Sequence, residues 1–170
     1  MKMAAAGPAP DAHWRMISQT AEYALRVTLY LAARAPQAVT SATEAAQAVD
    51  VGERYLARVL NALVHAGVLQ SVRGAHGGFR LARRPADLTL AQVVASFDAV
   101  GDAPQCLLRN QRCGAGEPCL AHAEWHAVAT AVRGYFQTTT VADLLGTGDA
   151  PCARRNFHDT HTERQHAEYD

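Results

Sequence analysis

The sequence predicts a mainly α-helical fold, a winged helix-turn-helix with a small β-hairpin wing and a long C-terminal dimerisation helix. Residues 52–65 have the apolar period of an amphipathic helix. Two short runs rich in strand-forming residues come next, with a glycine-rich turn between them. Residues 120–137 then repeat apolar side chains at intervals of four and three, which is typical of a helix that pairs with another helix.

The composition indicates a single domain with one surface suited to an anionic partner. The chain has 170 residues, of which 49% are hydrophobic, enough for a substantial core. Its formal net charge is zero, yet residues 15–85 contain nine arginines and four acidic residues, whereas residues 86–170 contain six arginines and eleven acidic residues. A basic half of this kind is consistent with nucleic-acid binding.

The sequence shows no feature of an exported protein, a membrane protein or an enzyme. Residues 1–10 lack the apolar run of a signal peptide, and no segment is long enough to span a membrane. We therefore expect a cytoplasmic protein with reduced cysteines and no membrane partner. There is no Gly-rich phosphate loop, nucleophile elbow or specifically spaced Ser/His/Asp set, so catalysis is not predicted.

Six parts are expected along the chain. They are a disordered leader (1–14), the winged helix-turn-helix (15–85), a connecting helix (86–100), a cysteine-rich cluster-binding loop (101–119), the dimerisation helix and its end (120–145) and a disordered tail (146–170). The leader and the tail are assigned on composition, because Ala, Pro and Gly dominate the first and Gly, His and charged residues the second.

The first two helices are predicted from their N-caps. Ser18 is a typical N-cap for a helix that runs to about Arg34. Ser41, with Glu44 three residues later, predicts a capping box for a short second helix that ends near Val49.

The third helix, residues 52–65, has two different faces. One face is apolar, at spacings i, i+3, i+4 and i+7, and consists of Leu56, Val59, Leu60 and Leu63. The opposite face carries side chains that can reach phosphates and guanine edges, namely Arg54, Arg58, Asn61 and His65. Taken alone, such a polar face is more often ordinary solvated surface, so its meaning depends on the neighbouring elements.

The residues after this helix indicate a winged helix-turn-helix. Gly67 ends the helix, and residues 69–73 and 79–82 are predicted strands around the turn 74–78, whose glycines allow positive φ. A hairpin in this position is the wing, which contacts the DNA backbone or the minor groove. The predicted DNA-binding residues are Arg54, Tyr55, Arg58 and Asn61 on the helix, and Arg73, His76 and Arg80 in the wing.

Two more helices are expected after the wing. Thr89 is a predicted N-cap for a connecting helix from Leu90 to about Phe97. The last helix runs from about Leu120 to Gln137, and its apolar seam consists of Ala121, Trp125, Val128, Val132 and Tyr135. A second copy of the chain is the simplest partner for this seam, and the predicted homodimer would bind a near-palindromic double-stranded operator. Packing within its own chain is the alternative.

A metal site is predicted in the loop before this last helix. Cys106, Cys113 and Cys119 lie in one Gly/Pro-containing stretch, with His122 just beyond. Three thiolates and one imidazole suit either an iron–sulfur cluster or a tetrahedral zinc ion. Structural zinc usually takes closely spaced pairs of ligands, and only Cys119 with His122 forms such a pair here, which favours the cluster. A thiol or disulfide switch stays open. The alternative function is a thiol- or zinc-based redox or metal-binding protein without cluster-dependent regulation of DNA binding. Cys152 lies near three histidines of the tail, which are His158, His161 and His166. These residues can bind a metal ion, but the composition of the tail favours disorder.

Several runs of residues together resemble the Rrf family of bacterial winged-helix transcription regulators. They are Tyr23-Ala-Leu-Arg26, Tyr55-Leu56, Gly67-Val-Leu-Gln-Ser-Val-Arg-Gly74, Gly77-Gly78-Phe79 and Leu81-Ala82. The similarity covers about residues 16–145, and the three-cysteine loop resembles the iron–sulfur branch of the family, which includes IscR-like and NsrR-like regulators.

The resemblance implies a regulator that binds DNA under the control of a 2Fe–2S cluster held by the three cysteines. In IscR-like members the residue matching His122 completes the cluster. In NsrR-like members a carboxylate of the other subunit does so, and Glu22 matches that position. Two departures limit the resemblance: the spacer from Cys106 to Cys113 has six residues, one more than expected, and Ala57 replaces a glutamate of the IscR recognition helix.

Overall fold

The computed structural model of the chain describes residues 16–35, 37–74, 76–100, 106–108 and 118–146. Within these ranges the elements are, in chain order, α1 (Gln19–Ala32), α2 (Ala42–Val49), α3 (Glu53–His65), β1 (Leu69–Val72), β2 (Gly78–Leu81), a short 3-10 turn (Pro85–Asp87), α4 (Leu90–Val94), α5 (His122–Thr138) and α6 (Val141–Gly146). The predicted mainly helical fold with a two-stranded wing is confirmed.

The predicted N-caps form the expected hydrogen bonds. The Ser18 side chain accepts a bond from the backbone N–H of Ala21, at 3.1 Å, and α1 begins at the next residue after Ser18. The Ser41 side chain accepts a bond from the backbone N–H of Glu44, also at 3.1 Å. Thr89 forms a full capping box with Gln92. These caps satisfy backbone donors that a helix start would otherwise leave unpaired.

The Glu44 side chain has a different role from the one that a capping box gives it. Its carboxylate accepts hydrogen bonds from the Tyr30 hydroxyl, at 3.2 Å, and from the Arg34 guanidinium, at 2.5 Å. Both donors belong to the end of α1 and the residues just after it. Glu44 therefore links α2 to α1, and only the Ser41 half of the predicted box is formed.

The core lies between the first three helices and the wing. The apolar face of α3 is its centre, because Leu56, Leu60 and Leu63 are 0% exposed and Val59 is 2% exposed. A second cluster joins α1, α4 and α5 through Ala21, Leu90, Val94 and Phe136. α4 ends at Val94, three residues before the predicted end, and Phe97 packs partly buried against both clusters.

The C-terminal helix differs from the prediction in which side chains it buries in its own chain. Phe136, which the predicted seam leaves out, is 7% exposed in the second cluster. Val132, which the seam includes, packs partly buried against the same cluster. The last turns of α5 therefore contact their own chain, so Val132 has less surface left for a partner helix than the predicted seam gives it.

A short helix that the sequence did not predict, α6, returns the chain to the start of α4. The carboxylate of Asp143 accepts hydrogen bonds from the backbone N–H and the hydroxyl of Thr140, at 2.8 and 2.7 Å, and these bonds hold the pKa of Asp143 below its usual range. Thr140 also pairs with Thr89 as a short antiparallel bridge. The N–H of Val141 donates to Leu88 O and the N–H of Leu90 to Thr139 O, at 2.8 and 3.0 Å.

The wing is anchored to the loop before α2. β1 and β2 are antiparallel, with Leu69 opposite Leu81 and Val72 opposite Gly78. On its other edge β2 pairs with Thr40, since Thr40 and Phe79 exchange two backbone hydrogen bonds of 3.0 and 2.8 Å. Gly78 makes this approach possible, because a Cβ on it would lie 2.2 Å from the carbonyl oxygen of Thr40. The wing glycines were expected to supply positive φ; Gly74 does, with φ +116°, while Gly78 supplies space.

Replacing Gly78 with alanine should therefore loosen the wing. We expect the free energy of unfolding to fall by about 1–3 kcal/mol, as for other substitutions that overpack a tight contact. Gly134→Ala is the matched control, because Gly134 lies inside α5 with nothing within 4 Å of its added Cβ. That change should raise stability by about 0.5–1 kcal/mol through helix propensity. Urea unfolding measures both, and equal effects would contradict the close approach at Thr40.

Candidate nucleic-acid interface and metal site

The outer face of α3 is exposed and basic. Arg54, Arg58 and Asn61 are all exposed, on the side of the helix opposite the buried leucines. Three arginines form ion pairs in the described part of the chain, namely Arg26, Arg34 and Arg84. Neither Arg54 nor Arg58 forms one there. The two guanidinium groups are thus available to phosphates or base edges, the groups they bind best in DNA.

Tyr55, also predicted to bind DNA, is held partly by α1. Its side chain is 40% exposed, and its hydroxyl forms a 2.5 Å hydrogen bond with the Thr20 hydroxyl. The Tyr23 ring lies edge-on to it, with centroids 5.9 Å apart and planes at 80°. The contacts of Tyr55 with Thr20 and Tyr23 were not predicted from the sequence. Thr20 lies 35 positions and Tyr23 lies 32 positions before Tyr55, and no local pattern links residues so far apart.

The wing presents two of its three predicted DNA-binding residues to solvent. Arg73 and His76 are exposed. Arg80 is half-buried, and its Nε and Nη2 atoms both donate to the side-chain oxygen of Gln70 on β1, at 3.2 and 3.1 Å. Arg80 therefore stabilises the hairpin, and it would have to share or leave Gln70 to contact DNA.

Two of the predicted metal ligands lie together. The sulfur atoms of Cys106 and Cys119 are 3.7 Å apart, too far for a disulfide between them, whose S–S distance is about 2.05 Å. Two thiolates on one tetrahedral metal ion, at about 2.3 Å each, are about 3.8 Å apart. These residues therefore fit a tetrahedral metal centre, although the distance alone does not separate zinc from iron. Cys113 lies outside the described residues, as do Cys152 and the tail histidines.

The two candidate fourth ligands stand in different surroundings. His122 is the first residue of α5; its backbone N–H donates to Cys119 O at 2.9 Å, and its ring stacks on His126 with centroids 5.6 Å apart. Glu22 lies in the first turn of α1, where its carboxylate pairs with Arg26 at 2.5 Å. Among the described residues, no three side chains of His, Cys, Asp or Glu lie close enough together to hold a metal ion.

One side of α5 leaves large apolar side chains exposed along most of the helix. Val128 and Tyr135 are 54% and 53% exposed, and Leu120 just before the helix is fully exposed. Trp125 is half-buried on the same side. An exposed apolar stripe on a helix usually contacts another protein surface.

None of the described helices is long and apolar enough to cross a membrane.

Comparison with known proteins identifies the family. The Rrf2 family model, described as an iron-dependent transcriptional regulator, matches residues 17–147. The chain belongs to the Rrf2 family. Its Rrf2 relatives are transcriptional regulators, so the predictions of helix-turn-helix DNA binding and of a non-enzymatic function are confirmed.

Three similar proteins illustrate the range of the Rrf2 family. The transcriptional regulator IscR of Photobacterium profundum is 32% identical over 102 residues, which are 56% of this chain and 59% of that protein. The regulator NsrR of Geobacillus kaustophilus is 30% identical over 125 residues, 73% of this chain and 85% of that protein. The structure of CymR, the global cysteine regulator of B. subtilis, is 26% identical with a TM-score of 0.67, covering 78% of this chain and 98% of CymR.

Proposed function

We propose that this Rrf2 protein is a dimeric regulator whose affinity for a near-palindromic operator depends on a 2Fe–2S cluster bound by Cys106, Cys113, Cys119 and His122. The observation that carries the proposal is the 3.7 Å separation of the Cys106 and Cys119 sulfurs, directly before the helix with the exposed apolar stripe. A cluster held at such a loop supplies a labile, redox-active iron centre that responds to iron supply, nitric oxide or oxidants.

The protein's own residues give each part of the proposal a role. Arg54, Arg58 and Asn61 on α3 contact base edges and phosphates, with Arg73 and His76 on the backbone from the wing. The stripe formed by Trp125, Val128 and Tyr135 meets the same stripe of a second copy, which sets the spacing of the two recognition helices. The cysteines order the segment between these two surfaces.

His122 is the proposed fourth ligand. It lies one turn from Cys119, and helical side chains point back towards the N-terminus, so its ring projects towards the cysteine side. Glu22 would have to reach the site from the partner subunit and leave Arg26, and a carboxylate is a harder ligand than iron–sulfur chemistry usually selects. The proximity of His122 to Cys119 is local and independent of how two subunits meet.

The first test is the composition and visible spectrum of the protein purified without air. The proposal predicts two iron and two sulfide ions per chain, and visible absorption that nitric oxide bleaches. His122→Ala should shift the spectrum and speed its loss, whereas Glu22→Ala should leave it nearly unchanged. The opposite pattern would assign the ligand to Glu22. A protein that carries zinc, or no metal, would contradict the cluster.

A thiol switch is the second candidate function. The observation that favours it is again the approach of Cys106 to Cys119, because a movement of under ~2 Å would bring the two sulfurs to bonding distance. The structural similarity to CymR, which is described as a global cysteine regulator, is compatible with a thiol switch. In that case the purified protein is colourless, and operator affinity changes with thiol oxidation and recovers with a reductant.

A further inference from the structure

The first turn of α1 contacts two segments to which the proposed function gives separate tasks. On one side, the backbone N–H of Ser18, the N-cap, donates to a carboxylate oxygen of Asp98 at 2.6 Å. Asp98 comes after α4 and lies eight residues before Cys106. A hydrogen bond to a charged acceptor is stronger than a neutral one, so this bond fixes the start of α1 to the chain that enters the cysteine loop.

On the other side, the same turn holds the recognition helix. Thr20 forms the 2.5 Å hydroxyl bond to Tyr55, and Tyr23 packs edge-on against the Tyr55 ring. Gln19 fixes Tyr23 in turn, since its side-chain amide donates to the Tyr23 hydroxyl at 2.6 Å. Tyr55 follows Arg54 in the first turn of α3 and is itself one of the residues predicted to bind DNA, so a shift of its ring changes the surface offered to DNA.

We propose that the first turn of α1 couples the cysteine loop to the recognition helix, through Asp98–Ser18 at one end and Thr20–Tyr55 at the other. The proposal rests on the proposed function for what the loop binds, but the two contacts do not depend on it. A displacement of Asp98 by about 1 Å breaks its bond to Ser18, because hydrogen bonds are lost beyond about 3.5 Å. The released turn shifts Thr20, and Tyr55 is freed to adopt a second position.

The partial exposure of Tyr55 makes two positions physically reasonable. With 40% of its surface open, its hydroxyl can exchange the Thr20 hydroxyl for water or a DNA phosphate without leaving a buried polar group unpaired. The state of the loop then changes DNA affinity through a side chain that need not touch the loop itself.

The test compares operator affinity in two states of each variant. The DNA is the sequence that the wild-type protein selects from a random pool, and binding is measured with metal-free protein and with protein reloaded anaerobically with iron and sulfide. Thr20→Val and Asp98→Ala should each reduce the ratio of the two dissociation constants by about two- to tenfold, the range expected for one hydrogen bond. The double variant should show no further reduction, because both changes break one path.

Two controls match these changes. Asp98→Asn keeps an acceptor oxygen for Ser18 and should preserve most of the ratio. Tyr30→Phe removes a hydroxyl from the far end of α1, bonded to Glu44 and Arg34, and should not change it. An unchanged ratio in Thr20→Val and Asp98→Ala, or an equal reduction in Tyr30→Phe, would overturn the coupling.

Hydrogen exchange of the metal-free protein tests the coupling without any metal. Asp98→Ala should speed amide exchange in residues 53–65, whereas Asp98→Asn should not. Unchanged exchange in α3 of Asp98→Ala would refute the proposal. If wild-type protein binds DNA equally in both metal states, the proposed function fails while the exchange result still decides the coupling. If Tyr55→Phe weakens DNA binding equally with and without Thr20→Val, Tyr55 acts by contacting DNA and the coupling is wrong.

Discussion

Arg58→Ala should weaken binding to the selected operator by about 1–3 kcal/mol and relax its sequence preference at one base pair in each half-site. The reason is the position of Arg58, exposed on the face of α3 opposite the buried leucines and in no ion pair of the described chain. A guanidinium that binds a guanine edge with two hydrogen bonds distinguishes that base from the others. A fluorescence titration against the operator and single-base variants measures both effects.

Two other arginines separate base reading from simple charge. Arg73→Ala, on the wing, should weaken binding to all sequences evenly and reduce the slope of log affinity against log salt by about one. Arg84→Ala removes the same charge from the base of the wing, where Arg84 pairs with Asp87 at 2.8 Å, and should have a small effect. If Arg84→Ala matches Arg58→Ala in affinity and specificity, α3 is not the reading helix.

Trp125→Asp should convert the proposed dimer into a folded monomer and lower affinity for a palindromic operator by about 10²–10⁴-fold, because the two half-sites are then no longer bound by one linked molecule. The substitution places a charge at the first residue of the apolar stripe on α5. Folding should survive, since Phe136 and Val132 still anchor the end of α5 in the second core cluster. Sedimentation and circular dichroism measure mass and fold.

Thr130→Asp is the control for the dimer. Thr130 is exposed on the side of α5 opposite Trp125, so the same charge there should leave the mass unchanged. If Trp125→Asp sediments like the wild type, this face of α5 is not the contact between subunits. If both variants dissociate, a general weakening of α5 explains the result and the stripe has no special role.

Local patterns predicted most of the winged domain. The faces of α3 are set by a strong period over 13 residues, and the Ser18 and Thr89 caps each depend on contacts within one turn. α6 escaped prediction because six residues are too few to show a helical period. The pairing of Thr40 with Phe79 was not predicted, because a single bridge between residues 39 positions apart produces no local sequence pattern.

The sequence predicted which kinds of residue form the candidate sites better than it predicted how those residues are arranged in space. The spacing of apolar residues placed Val132 in the predicted seam of α5, but periodicity identifies an apolar face without saying what that face contacts. Val132 packs against its own chain. Cysteine spacing likewise suggested metal ligands, whereas the 3.7 Å approach of Cys106 to Cys119 depends on how α4 and α5 are placed. The bond from Thr20 to Tyr55 depends on helix packing and could not be read from sequence.

The bridge between Thr89 and Thr140 has a consequence for how such proteins diversify. The segment that contains α4, the cysteine loop and α5 begins just after Thr89 and ends just before Thr140, so its two ends are neighbours. Segments with adjacent ends are the ones that folds exchange, lengthen or replace with little strain elsewhere. Evolution can therefore replace the ligand-binding residues between α4 and the end of α5, a thiol site by a metal site or one metal site by another. The winged helix-turn-helix that binds DNA stays unchanged.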